Sequence, residues 1–254
     1  MKDKIRIIPK LEIKNNNIIK GIEFEGLRVV GNPYELSKKY YDDGADQIIV
    51  TDVVASLYSR SNLFDTIDKL TNNIFIPITA GGGVRSIEDI TNLLKVGADR
   101  VSVNSFLFED SDILSKISNI FGAQFLTVMI EVKKIDNDYY CMKNHGRDNT
   151  GITINKWLDF LSTKNIGELA IYSVDNDGTN KGFNHDLIKI IKKKKIQFPL
   201  IYGGGLSDPH NIHILINEIN LTGISIGSSL HFNLLKIKKL KSYLKDFNIN
   251  INEI

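Results

Sequence analysis

A (β/α)8 TIM barrel, in the α/β class and assembled from two repeated half-barrels, is the fold the sequence predicts. Three observations predict it. The chain has 254 residues, the usual size of one such barrel. Two Gly triplets, Gly81-Gly82-Gly83 and Gly203-Gly204-Gly205, each end a short apolar run that opens after Pro77 or Pro199. Aligning the triplets sets a shift of about 120 residues, and the other strands then fall into register. Leu11-Glu12-Ile13-Lys14 meets Ile130-Glu131-Val132-Lys133, Ile48–Asp52 meets 169–175, and 101–105 meets 224–228. Four strands in each half, each followed by helical sequence, make eight β/α units.

Taken in order, residues 5–14 read as the first strand, apolar on both faces as a strand between core and helices should be. Residues 15–33 read as a long polar loop, and a loop of that length often acts as a lid. Lys20 and Arg28 on it are placed to reach a phosphate, with plain surface charge as the alternative reading. Residues 34–41 are helical and stop at Asp43-Gly44-Ala45. The strand to Asp52 follows, then an amphipathic helix over 61–70 and the first triplet.

Ser86 and Ser207 are expected to cap the helices behind the two triplets. Residues 86–96 are helical and stop at Gly97, 98–104 form the fourth strand, and 110–121 are helical. The second half opens with the strand 124–132 and carries a polar, hairpin-like insertion over 136–149. A helix over 156–163, a strand over 167–173 and an acidic loop over 175–182 come next, and the last helix covers 233–247. With no linker or low-complexity boundary, one domain of residues 1–254 is expected, its halves about 1–122 and 123–254.

Composition narrows the function. The chain is 42% apolar and 24% charged with a net charge of +2, which points to neither a nucleic-acid nor a membrane binder. Lys192–Lys195 is the basic cluster and fits the solvated end of a helix. Cys141 is the single cysteine and the histidines are scattered, so neither a disulfide framework nor a metal site is expected. No signal-peptide pattern opens the chain and no apolar run is long enough to span a bilayer, so a cytoplasmic enzyme is expected.

Glycines at a strand end let a ligand approach the backbone, and the next helix's free N–H groups favour an anion. Two such places predict a substrate with a phosphate at either end; tight-turn packing is the plainer alternative. Barrel active sites lie at the C-terminal ends of the strands. That rule selects Glu12, Asp52, Gly82, Asn104, Glu131, Asp175, Asp177, Gly204 and Ser228. Glu12 and Glu131 face each other across the mouth, where two carboxylates can divide acid and base roles. Ion pairs with Lys14 and Lys133, two positions on, are the structural alternative.

Arg6-Ile7-Ile8-Pro9, Lys20-Gly21, Thr79–Gly83, Gly97-Ala98-Asp99, Asn149-Thr150-Gly151 and Asp177-Gly178-Thr179 together resemble the cyclase-subunit family of imidazole glycerol phosphate synthase. The resemblance covers essentially the whole chain. It implies a cyclase of histidine biosynthesis, a lyase that needs no cofactor. Its substrate is the phosphoribulosyl-formimino-aminoimidazole carboxamide ribonucleotide. Ammonia comes from a partner glutaminase, docked as a heterodimer at the N-terminal face, and the products are imidazole glycerol phosphate and aminoimidazole carboxamide ribonucleotide.

The resemblance also implies residue roles. The family's two catalytic aspartates map to Glu12 and Glu131. Substrate and phosphate positions map to Lys20, Asp52, Gly82, Gly83, Asn104, Ser105, Asp177, Gly178, Gly204, Gly205, Gly227 and Ser228. The ring of charges at the ammonia entrance maps to Arg6, Gln47, Arg100 and Glu168, with Gln47 where the family has an acid. Lys10 stands in place of a small residue and Tyr172 in place of a threonine. Each glutamate adds roughly an ångström of reach, and a misplacement of about 1 Å costs on the order of 100-fold in rate. Phosphate recognition is thus kept while the reacting centre is altered. That pattern leaves room for a paralogue forming an amidine on a surface-polysaccharide sugar, or for a non-catalytic activator of a glutaminase.

Overall fold

A computed structural model describes residues 4–54, 63–194 and 196–253. The first strand, β1 (Arg6–Lys14), is buried along nearly its whole length, as its run of apolar residues requires. It continues into a hairpin, β2 (Asn17–Ile22) and β3 (Glu25–Gly31), which pairs antiparallel with β1. Residues 15–33 are therefore a strand pair and not a loop. The turn is made by Glu23 (φ 52°) and Phe24 (φ 65°), left-handed without a glycine, which is why no turn signal marks it.

Helix α1 (Pro33–Asp42) starts with proline in its first turn, and the Asn32 side chain accepts the Tyr34 N–H at 2.8 Å. Then come β4 (Ile48–Asp52), α2 (Leu63–Thr71), β5 (Ile78–Gly81), α3 (Ile87–Lys95), β6 (Arg100–Val103) and α4 (Ile113–Phe121). The expected helix over 61–70 is thus seen from Leu63, its first two residues lying outside the described ones. Ser86 caps α3 as expected, in a full capping box with Asp89.

The second half repeats the plan. Strand β7 (Leu126–Ile135) carries the antiparallel hairpin β8 (Asp138–Lys143) and β9 (Asp148–Thr153), the expected insertion. Helix α5 (Ile154–Leu161), β10 (Glu168–Ser173), α6 (His185–Lys193), β11 (Leu200–Gly203), α7 (Pro209–Glu218) and β12 (Gly223–Ile226) complete the eight units. The cap of α7 is Asp208, whose side chain accepts the Asn211 N–H at 3.1 Å; Ser207 instead donates to the Asn180 carbonyl at 2.9 Å. The expected last helix is two: α8 (Ser228–His231) and α9 (Ile237–Asp246), broken where Asn233 takes φ 58°.

Parallel pairing runs β1, β4, β5, β6, β7, β10, β11, β12 and back to β1, a closed barrel. The half-barrel repeat reaches the backbone torsions. Gly82 and Gly204 sit at φ 96° and 109°, Gly83 and Gly205 at 72° and 79°. A Cβ on Gly82 would lie 2.1 Å from the Asp52 carbonyl, and one on Gly204 2.6 Å from that of Ser173, so neither position accepts a side chain. One large apolar cluster lies between strands and helices, and a smaller one of Ile8, Ile49, Met129, Ala170, Tyr172 and Ile201 fills the barrel axis. No helix among the described residues is long and apolar enough to cross a membrane.

Candidate active site

The strand ends form two half-sites that the repeat makes equivalent in backbone and unequal in content. Thr51, Asp52, Gly82, Gly83, Asn104, Ser105, Glu131 and His145 line the first, a cavity of about 70 Å³. Lys10, Lys20, Tyr172, Asp177, Gly178, Gly204, Gly205, Gly227 and Ser228 line the second, of about 10 Å³, room for about one water. Asn104 (φ −138°, ψ −88°) and Gly227 (φ −114°, ψ −90°) occupy matching backbone conformations. Ser105 Oγ accepts the Asn144 N–H at 2.9 Å, and Ser228 Oγ donates to Asn180 Oδ1 at 3.1 Å, so each serine ties its half-site to an overlying loop.

Glu12 and Glu131 stand on β1 and β7, four strands apart in a ring of eight and so on opposite sides of the mouth. Their partners differ from the sequence expectation. Glu12 is paired at 2.8 Å with Lys10, two positions earlier, and at 2.7 Å with Lys20; Lys14 is exposed. Glu131 Oε2 accepts the Gly146 N–H at 2.9 Å, and its Oε1 lies 3.8 Å from His145 Nδ1; Lys133 is not among its partners.

Lys20 is shared with Asp177 at 2.5 Å. The second half-site is thus a buried quartet of two lysines and two carboxylates. Burial alone would raise the Glu12 carboxyl, but the Lys10 and Lys20 ammonium groups outweigh it and hold Glu12 well below the usual carboxylate range. Asp177 is shifted the other way, because burial outweighs its Lys20 partner. Lys10 is driven up: burial opposes its charge, and Glu12 leads the carboxylates that overcome this.

Lys10 also lies over two rings, 4.1 Å from the Tyr172 centroid and 5.0 Å from that of Phe24. The Tyr172 hydroxyl donates to Ser225 Oγ at 2.9 Å, and burial pushes it up to about 12. Gly203 makes room for that ring, since a Cβ there would come within 2.5 Å of it.

At the opposite end of the axis the four expected ring residues do meet. Arg6 is paired with Glu168 and donates to Gln47 Oε1 at 2.5 Å; Arg100 reaches Glu168 at 3.3 Å; Gln47 donates to Thr79 Oγ1 at 2.8 Å. Asp52 Oδ1 accepts the Val54 N–H at 3.0 Å within the first half-site. Asp175, which the strand-end rule selected, instead accepts the Lys134 N–H at the base of the β8–β9 hairpin, and Arg28 is exposed on β3.

Sequence reasoning missed Phe24 and His145 as site residues, and saw Lys10 and Tyr172 only as departures from a family pattern. Both missed residues occupy left-handed turn positions of the two hairpins, φ 65° and 59°, and their rings stack 4.3 Å apart. The repeat itself held the signal: two hairpins at equivalent places on β1 and β7 bring two turns to one mouth.

Residues 6–236 match the family described as Histidine biosynthesis protein. Among similar proteins is the imidazole glycerol phosphate synthase subunit HisF of Natranaerobius thermophilus, 33% identical over 97% of this chain and 98% of the relative. The protein of the same name from Campylobacter concisus is 37% identical over 97% of each chain. That from Legionella pneumophila is 40% identical over 80% of this chain and 95% of the relative.

Proposed function

The chain belongs to the Histidine biosynthesis protein family, and from that premise we propose that it is the cyclase subunit of an imidazole glycerol phosphate synthase. As a single domain of residues 1–254 it takes ammonia from a glutaminase docked on the N-terminal barrel face. With it the chain converts the phosphoribulosyl-formimino ribonucleotide to imidazole glycerol phosphate and the aminoimidazole carboxamide ribonucleotide. The observation that carries this reading is the pair of equivalent Gly-lined half-sites on either side of Glu12 and Glu131. One phosphate binds at Gly82, Gly83, Asn104 and Ser105. The other binds at Gly204, Gly205, Gly227 and Ser228, where Lys20 supplies positive charge. Asp52, Asp177 and Gly178 serve the sugar hydroxyls.

The electrostatics divide the two catalytic carboxylates. Glu12, held ionised by two lysines, stabilises positive charge that builds up on the nitrogen centre. Glu131, which lines the cavity and has no ion pair with a lysine among the described residues, exchanges protons. Ammonia enters through Arg6, Gln47, Arg100 and Glu168 and rises along the axis towards Lys10.

A second reading rests on the quartet. Lys10 and Tyr172 fill the end of the axis, and the second half-site has room for about one water. A paralogue acting with ammonia on another phosphorylated or nucleotide-linked sugar would account for a remodelled centre beneath kept phosphate positions.

Steady-state turnover of the formimino ribonucleotide with an ammonium salt at alkaline pH separates the readings. Turnover abolished by Glu131→Gln and reduced by Glu12→Gln supports the cyclase. Tight binding of the same compound without turnover rejects it in favour of the second reading.

A further inference from the structure

We propose that His145 is a catalytic residue of this mouth: its Nε2 contacts the bound substrate and exchanges a proton with it, while Glu131 stands behind Nδ1. The proposal rests on the reading that the mouth is the reaction site, and it names the proton carrier that works with Glu131.

The backbone is bent to put the ring there. Asn144, His145 and Gly146 take φ 54°, 59° and 72°, three left-handed residues in succession, and two of them are not glycine. Such a conformation disfavours an L-residue, and strain of this kind gathers at functional sites. Both ends of the turn are tied to the site, Asn144 N–H to Ser105 Oγ and Gly146 N–H to Glu131 Oε2. The ring stacks on Phe24 with 14° between planes, so its two nitrogens have fixed directions. Nδ1 lies 3.8 Å from Glu131 Oε1.

Nε2 is buried and has no hydrogen-bond partner among the described residues. Two residues lining the same 70 Å³ cavity, Thr51 and Asn104, also carry a buried atom without a hydrogen-bond partner among the described residues, Oγ1 and Oδ1 respectively. An unpaired buried polar group is costly, and native proteins supply such groups with a partner. Three around one cavity point to a ligand that carries both donors and acceptors, as a sugar phosphate with an amidine nitrogen does.

Glu12 does not fill the role, because each of its oxygens faces a lysine and it stays ionised. An imidazole can hold a proton on either ring nitrogen and so can pass one on. Among the described residues, the charged groups around the ring are Glu131 on β7, Glu12 on β1, Lys10 and Lys20 beyond Phe24, and Asp52, Arg85 and Glu109 in the cavity wall.

In the step, one carbon carries both the ammonia-derived nitrogen and the departing nitrogen. The lone pair of the retained nitrogen forms a C=N bond, and the C–N bond to the departing nitrogen breaks with its pair moving to that nitrogen. The Nε2 proton of the imidazolium neutralises it, leaving a neutral ring with Nδ1–H towards Glu131. Glu131 takes the proton released by the retained nitrogen.

The test uses the full chain, with thermal unfolding as a check on folding. His145→Gln is expected to lower kcat about 100-fold or more, the usual range of an acid–base group, with KM within about threefold. Imidazole is expected to restore part of the activity of His145→Ala. A kcat within about threefold of wild type in His145→Gln, or no rescue by imidazole, overturns the proposal.

Ring-nitrogen NMR reads the contact separately, with the His145 signals assigned by their loss in His145→Gln. Substrate without ammonium is expected to shift Nε2. Should the wild type turn nothing over, the cyclase reading fails on its own. Glycerol 3-phosphate then probes the cavity, and saturation that leaves the His145 signals unmoved overturns this proposal as well.

Discussion

Lys10 Nζ lies 2.8 Å from Glu12 Oε1 and 4.1 Å from the centre of the Tyr172 ring, so one buried ammonium joins a strand-end carboxylate to the side chain that fills the barrel axis. With Lys20 and Asp177 it makes a charge-balanced quartet in which every member is at least nine-tenths buried. Removing one member leaves an uncompensated buried charge, which typically costs about 3–5 kcal/mol. Lys10→Met and Glu12→Gln are each expected to lose that much in denaturant unfolding. The double variant restores neutrality and should lose clearly less than the sum. Additive losses would show that the pair is not coupled.

The same Tyr172 ring explains a glycine that phosphate binding does not. A Cβ on Gly203 would sit 2.5 Å from Tyr172 Cε1 and 2.6 Å from Cδ1. Gly203→Ala is expected to destabilise the protein by about 1–3 kcal/mol through overpacking. In a Tyr172→Ala background the same change should be close to neutral. An equal loss in both backgrounds, measured by urea midpoints, would put the constraint on the backbone and not on the ring.

The barrel was legible because each triplet, each apolar strand run and caps such as Ser86 act within a few residues, and the shift of about 120 residues lines up the two sets. The first hairpin was not, since Glu23 and Phe24 turn left-handed without the glycine or asparagine that marks such turns. Its twin on β7 was readable from polar, turn-rich sequence over 136–149, and the repeat linked the two.

In the site, the strand-end backbone positions could be read and the partners could not. Lys10 and Lys14 flank Glu12 at the same period-two spacing. Only closure of the barrel decides that Lys10 lies inside it while Lys14, at the strand end, meets solvent. His145 arrives on a hairpin folded back over the mouth, a relationship between distant segments that no local spacing encodes; Lys20 was expected to reach a phosphate, and its pairing with Glu12 and Asp177 was not.

His231 gives the stability a defined pH dependence. Burial, with a contribution from the Lys20 ammonium, lowers its imidazole to about 4, and Tyr40 Oη lies 2.7 Å from Nδ1. As pH falls below the ordinary value of about 6.5, the unfolded chain takes up a proton that the folded chain refuses until about 4. The unfolded state then binds more protons, so stability falls across that window, by on the order of 3 kcal/mol for this group. Urea midpoints for His231→Gln should fall less steeply than wild type between pH 6.5 and 4. Parallel profiles would assign the acid sensitivity to other groups.

At the N-terminal end of the axis, Glu168 is fully buried and is the carboxylate that Arg6 and Arg100 share. Glu168→Gln leaves the Arg6 and Arg100 guanidinium groups without the carboxylate they share, and is expected to cost about 3–5 kcal/mol. Arg100 is 29% exposed, so its loss alone should cost no more than about 1 kcal/mol. Because Gln47 Oε1 already accepts from Arg6 at 2.5 Å, a carboxylate there would meet the same donor. Gln47→Glu added to Glu168→Gln should therefore recover most of the lost stability. Unfolding midpoints for the two single variants and the double decide it. A double variant no more stable than Glu168→Gln would mean that the ring needs its anion on β10, where both arginines reach it, and not simply its net charge.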